Sequence, residues 1–88
     1  MPTISMFFGI IIRMYFAPKE HRLPHFHAYY QEFKAVVDID KCEIIEGNFP
    51  SKQTKLVLAW AEMHKEELMA DWQLCQQGEQ PFRIDPLR

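Results

Sequence analysis

The apolar positions fall into two regimes, strand-like over the first forty-odd residues and helix-like over most of the rest. Ile4 to Phe8 and Ile10 to Phe16 are β-branched and aromatic runs parted by Gly9, which marks a bulge or a sharp bend. Ala17 to Leu23 is polar and contains a proline, so it reads as a loop that Pro24 closes. His25 to Tyr30 and Phe33 to Asp40 then form the clearest hairpin, with Gln31-Glu32 as a two-residue turn.

That turn sets a register in which paired residue numbers sum to 63. One face becomes Tyr30 with Phe33, Ala28 with Ala35, and Phe26 with Val37. The other becomes Tyr29 with Lys34, His27 with Val36, and His25 with Asp38. A slip of one residue would mix the two sets, so the alternation itself favours this pairing. Gln-Glu lacks the Gly or Asn that a type I′ turn prefers, which points to strain at the turn or to a longer loop. Cys42 to Ile45 makes a further short strand, and the stretch EGNFPS, with Gly47 and Pro50, reads as a turn in which Gly47 takes a positive φ.

One long helix is expected from about Ser51 to Gln77, capped by Asn48 or Ser51 and ended by Gly78. Val57, Trp60, Ala61, His64, Leu68, Trp72 and Cys75 share one face at helical spacing. Such a helix is roughly 40 Å long, more than the roughly 30 Å diameter of a compact chain of this size. It must kink, project, or be covered by a second chain. The flanking Leu56, Leu58, Met63, Met69 and Leu74 favour a partner, in a homodimer or a heteromer, with Trp60, Leu68 and Trp72 as core or interface anchors. Residues 79–88, with two prolines, read as an extended and weakly held tail. The fold class is α+β: an antiparallel sheet of four or five strands within about residues 3–46, packed on the helix. All 88 residues belong to one domain.

Composition narrows the function classes. The formal net charge is −2, so no global field draws the chain to nucleic acid or anionic lipid. Residues 1–41 hold five Lys/Arg against four Asp/Glu, plus His21, His25 and His27, whereas residues 42–88 hold five against eight. Only the histidine-bearing half is suited to face a phosphate. Cys42 and Cys75 are too few and too far apart for a disulfide framework or a zinc knuckle, and read as reduced thiols of a cytoplasmic protein. The run Ile10-Ile11-Ile12 stops at Arg13, far short of the ~20 apolar residues of a membrane span.

Residues two apart on a strand face the same way, so His25, His27 and Tyr29 share a face with Lys34 and Asp38, opposite the apolar face that suits the helix. The two imidazoles are suited to act as base and acid in phosphodiester cleavage at neutral pH. Asp38 would hold one tautomer of His25. Lys34, Arg22 or Arg13 would neutralise phosphorane charge, and Tyr29 would offer a stacking surface. His21, in the loop before the hairpin, is a further candidate. A second reading is a metal held by His25 and His27 with His21, Glu20 or Asp38, although no fourth ligand is specified. A third is a solvated or partner-facing strand with no chemistry. His64, central in the helix stripe, reads as a core histidine bonded to a sheet carbonyl or to Asp71.

From PTISMFFGIIIRMYF through EHRLPHFHAYY to IIEGNFP and LVLAWAEMHKEELMADW, the chain resembles a bacterial family, domain of unknown function forty-one-sixty, over roughly residues 2 to 76. Members of that family usually carry Asp-His and then a Pro-Pro pair before His-Phe-His-Ala, where this chain has Glu20-His21 and Leu23-Pro24. The resemblance implies a neighbouring gene for a small partner protein, in a pair that looks like a toxin–antitoxin module. The expected function is therefore a toxin-like component of such a module, acting as a metal-independent, His-dependent endoribonuclease without a cofactor. The alternative is a non-enzymatic module that binds a small partner protein.

Overall fold

The computed structural model describes residues 2–16 and 23–88. Its order is β1 (Thr3–Phe7), β2 (Ile10–Arg13), β3 (His25–Tyr30), β4 (Phe33–Asp38), β5 (Glu43–Asn48), α1 (Ser51–Met63) and α2 (Lys65–Gln76). The strands form an antiparallel meander in chain order, so the α+β class and the upper strand count both hold. Phe8 (φ 50°) and Gly9 (φ 79°) make the two-residue turn between β1 and β2, where the sequence had suggested a bulge or bend. Positive φ at both positions is the sign pattern of a type I′ turn, whose twist matches that of paired strands.

The β3–β4 hairpin has the expected register, from His25 opposite Asp38 to Tyr30 opposite Phe33. A bond from the Ile39 amide to the Pro24 carbonyl, 3.0 Å, continues the same sum one step further. The turn is two residues long, and Gln31 carries the strain with φ 53°.

Gly47 corrects the sequence expectation for EGNFPS, because Glu46, Gly47 and Asn48 belong to β5 rather than to a turn. Gly47 does take a positive φ, 85°, and a Cβ there would stand 2.3 Å from the Lys34 carbonyl oxygen. The strand is thus closed against β4 at a point where only glycine fits.

The single helix is the principal correction. It breaks at His64, whose φ −117° and ψ 26° lie outside the helical region. The His64 amide is shared between the Trp60 and Ala61 carbonyls, and the Leu68 amide returns to the His64 carbonyl, so His64 itself stays bonded to both helices across the break. The molecule measures 33 × 24 × 22 Å, shorter than a straight helix over this span would be. Of the ways to fit the helix, the chain takes the kink. Pro50, not Asn48 or Ser51, is the N-cap residue, and it provides no side-chain bond. The other end is as read: Gly78 (φ 76°) bonds to the Cys75 carbonyl and Glu79 to that of Leu74, a Schellman motif.

The core lies between the Phe26–Ala28 face of the sheet and the helices. Trp60 is wholly buried against Phe7 (5.2 Å) and Phe26 (5.8 Å). Leu68 and Trp72, offered with Trp60 as interface anchors, are also buried in the chain's own core. The tail is better held than its composition suggested. Trp60 Nε1 donates to the Asp85 carbonyl (2.8 Å), the Ile84 amide to the Ile4 carbonyl (2.8 Å), and the Phe82 amide to Asp71 Oδ1 (2.9 Å).

Replacing Gly47 by alanine should lower the unfolding free energy by at least about 2 kcal/mol, from the left-handed backbone and the carbonyl clash. Urea denaturation followed by tryptophan fluorescence checks this, and an unchanged midpoint would refute the close approach.

Candidate functional site

The strand registers align the open face of the sheet into rows. One row runs Thr3, Arg13, His27, Val36, Glu46, and the next runs Met6, Ile11, Tyr29, Lys34, Asn48. A third, at the end of the sheet, contains His25, Asp38 and Glu43. The alternating residues between these rows, such as Ile12, Ala28 and Ala35, are core.

Tyr15 and Tyr29 share a hydrogen bond between their hydroxyls. Tyr15 meets the His27 ring edge-on at 4.4 Å, and the Tyr29 ring lies nearly parallel to that of His27, at 14° and 6.4 Å. The Arg13 guanidinium sits 5.4 Å from the Tyr29 ring centre, and its Nε donates to Thr3 Oγ1 at 3.4 Å. Burial and the bond to Tyr15 push the Tyr29 phenol up to about 12, with Arg13 acting weakly in the other direction. Tyr29 is therefore a proton donor at neutral pH and never a base there.

A cavity of about 290 Å³ opens on this face, lined by His27, Tyr29, Lys34, Ala35, Val36, Glu46 and Gly47. It unites an imidazole, a phenol, an ammonium and a carboxylate over an apolar floor. Such a set can bind an oxyanion and move protons.

The two histidines are not equivalent. His25 is 7% exposed, with its ring against Trp72 of α2 (4.9 Å) and 5.4 Å from His27. The helix was expected on the far side of the sheet from the histidines unless the sheet curled over, and at the end of the sheet the His25 ring does meet Trp72 of α2. His25 Nδ1 lies 2.7 Å from the Leu23 carbonyl, and a carbonyl only accepts, so Nδ1 carries the proton. The tautomer is thus held by Leu23, where the sequence pointed to Asp38. Asp38 Oδ1 instead accepts the Asp40 and Lys41 amides at 2.9 and 3.2 Å, closing the turn into β5. His21, Arg22 and Glu20 lie outside the described residues. Among the described residues, no group of three or more His, Cys, Asp or Glu side chains is placed to hold a metal ion.

Of the site candidates, the structure brings His27, Tyr29 and Lys34 into the cavity and Arg13 against the Tyr29 ring. It sets His25 and Asp38 apart in supporting positions. Glu46 was missed as a site residue because a turn was expected there. The signal that could have found it is the continuation of the pairing into a fifth strand. Elsewhere, His64 Nδ1 bonds Glu67 Oε1 at 2.6 Å rather than Asp71. Cys42 and Cys75 are free, and burial raises both thiols, Cys75 to about 11, so neither is a ready nucleophile.

The model of the family described as Domain of unknown function (DUF4160) matches residues 9–73. The chain belongs to this family. The match spans β2 to most of α2, and so includes the whole cavity lining. No curated protein and no solved structure matches the chain. No helix among the described residues is long and apolar enough to cross a membrane.

Alanine at His25 should cost about 2–3 kcal/mol, through the gap left beside Trp72 and the orphaned Leu23 carbonyl. Alanine at the half-buried His27 should cost less than half as much, and thermal denaturation of the two variants separates them. Equal losses would contradict the division of roles. Spectrophotometric titration should find one phenol near 12. Because folding raises that value above the ordinary ~10, the stability it confers is complete below pH ~10 and is lost as pH rises through about 12. Tyr15→Phe should bring the titration down; no movement would mean the shared bond is not its cause.

Proposed function

We propose that the open sheet face is the working surface of a small RNA-cleaving effector. In this reading the chain is the toxin-like, cytoplasmic component of a two-gene module, held in check by a small partner protein encoded beside it. The observation that carries the proposal is the cavity in which His27 stands with Lys34 and Tyr29, with Arg13 against the Tyr29 ring. His27 moves the proton, and Lys34 and Arg13 offset charge on the phosphoryl oxygens. The Tyr15–Tyr29 hydroxyl pair, which uses one of its two protons in the shared bond, keeps one O–H to donate to them. A net charge of −2 gives no general affinity for RNA, so binding depends on these local cations and on stacking against the aromatic rings.

Expression without the adjacent gene should arrest growth, and co-expression should relieve the arrest. His27→Ala should slow cleavage of single-stranded RNA by about 10²-fold or more while the protein stays folded. Lys34→Ala should weaken RNA binding and flatten its salt dependence. If His27→Ala arrests growth as the unaltered protein does, the catalytic reading is wrong.

A second reading, a non-enzymatic module that binds a partner protein, is favoured by a separate observation. Met6 and Phe8, 54% and 59% exposed, stand together at the β1–β2 hairpin, with Ile11 paired to Met6. On that reading Phe8→Asp would abolish co-purification with the partner, and His27→Ala would change nothing.

A further inference from the structure

The cleavage chemistry needs two proton-transfer groups, one for the attacking hydroxyl and one for the leaving oxygen, and His25 is turned away from the cavity into the contact with Trp72. The structure holds a different second group. Ile44 and Glu46 are two residues apart and would share a face in a regular strand. They do not, because β5 is irregular between the pairs Val36–Glu46 and Val37–Ile44, leaving Ile45 as the extra residue. The bulge turns Ile44 to the core and Glu46 to the cavity. Bulges re-aim side chains in this way, and they are frequent beside active sites.

Glu46 then stands in the same row as His27, with Val36 between them. Two inter-strand steps separate their backbones, roughly 10 Å, and both residues line the cavity on either side of Val36. Gly47, which cannot carry a side chain, and Ala35 complete that side of the lining.

We infer that Glu46 is the catalytic partner of His27, and that the site takes a ribonucleotide phosphodiester through its 2′-hydroxyl. This rests on the RNA-cleaving reading above. The Glu46 carboxylate takes the proton of the 2′-hydroxyl, and the 2′-oxygen attacks phosphorus. The bond from phosphorus to the 5′-oxygen breaks, and that oxygen receives a proton from the His27 imidazolium. The products are a 2′,3′-cyclic phosphate and a free 5′-hydroxyl. Exchange with water returns the proton from Glu46 and restores that of His27, so no oxidant, metal or co-substrate is consumed. Lys34 and the Tyr29 hydroxyl lie along the adjoining row, where the non-bridging oxygens would rest.

The test uses the full chain and a single-stranded oligoribonucleotide, with its 2′-deoxy counterpart as control. Single-turnover rates are followed against pH, and binding is followed separately by fluorescence anisotropy. The unaltered protein should leave a 2′,3′-cyclic phosphate and should bind but not cleave the deoxy strand. Glu46→Gln should lower the rate by about 10²–10⁴-fold and remove the acidic limb of the pH profile, while the RNA binds no more weakly than to the unaltered protein. A full rate with both limbs intact in Glu46→Gln, while His27→Ala is inactive, would overturn the role of Glu46 and leave the RNA reading standing. Hydrolysis of the deoxy strand would overturn the 2′-hydroxyl chemistry. No cleavage by the unaltered protein, or full cleavage by His27→Ala, would remove the reading beneath and this inference with it.

Discussion

The register of the β3–β4 hairpin is the constraint on which the other features depend. Side chains alternate across a strand, so fixing Tyr30 opposite Phe33 also fixes Phe26 and Ala28 inward and His27 and Tyr29 outward. A slip of one residue would turn one strand over against the other, for instance setting Lys34 inward and Val37 outward beside an unchanged β3. The core therefore enforces the site: the burial that drives Phe26 against Trp60 also holds the imidazole on the open face. β2 and β5 dock on either side of this hairpin, and they bring Arg13 and Glu46 to the two ends of the His27 row.

The helices and tail answer a different demand, that of closing an 88-residue core with few elements. A straight helix would have left one end of its apolar stripe uncovered. The bend at His64 brings Leu68, Trp72 and Cys75 onto the same core as Val57, Trp60 and Ala61. The tail then crosses to β1, and its backbone satisfies groups that the packing has buried, the Trp60 indole and one oxygen of Asp71. The other Asp71 oxygen is buried with no partner among the described residues, and burial raises that carboxyl toward its protonated form.

Much of this was legible in the sequence because it rests on periodicity. The hairpin register, the helix stripe and the C-terminal glycine cap each follow from spacing alone. The errors fell where tertiary packing overrode local preference. Glu46-Gly47 carries turn chemistry, yet the strand continues, because the close approach of Lys34 demands glycine at that position. Nothing in KEEL or AEMH marks a helix break, since no proline or glycine stands there. The bend comes from the size of the core. The two prolines of the tail signal extended chain but say nothing of the bonds that anchor it.

The same contrast explains why His25 and His27, identical in type and parity, have separate roles. Parity sets only the face of a sheet and says nothing of what lies over it. Beyond the kink Trp72 packs against the His25 ring, and the Leu23 carbonyl accepts a hydrogen bond from its Nδ1, so that histidine is spent on structure. One step along the strand pair the neighbours of His27 include phenols, a guanidinium and, across Val36, a carboxylate. A symmetrical His-x-His pair therefore becomes one supporting residue and one exposed to a cavity. On the proposed cleavage reading the second proton-transfer group comes from another strand, where the bulge in β5 sets Glu46 in the cavity lining.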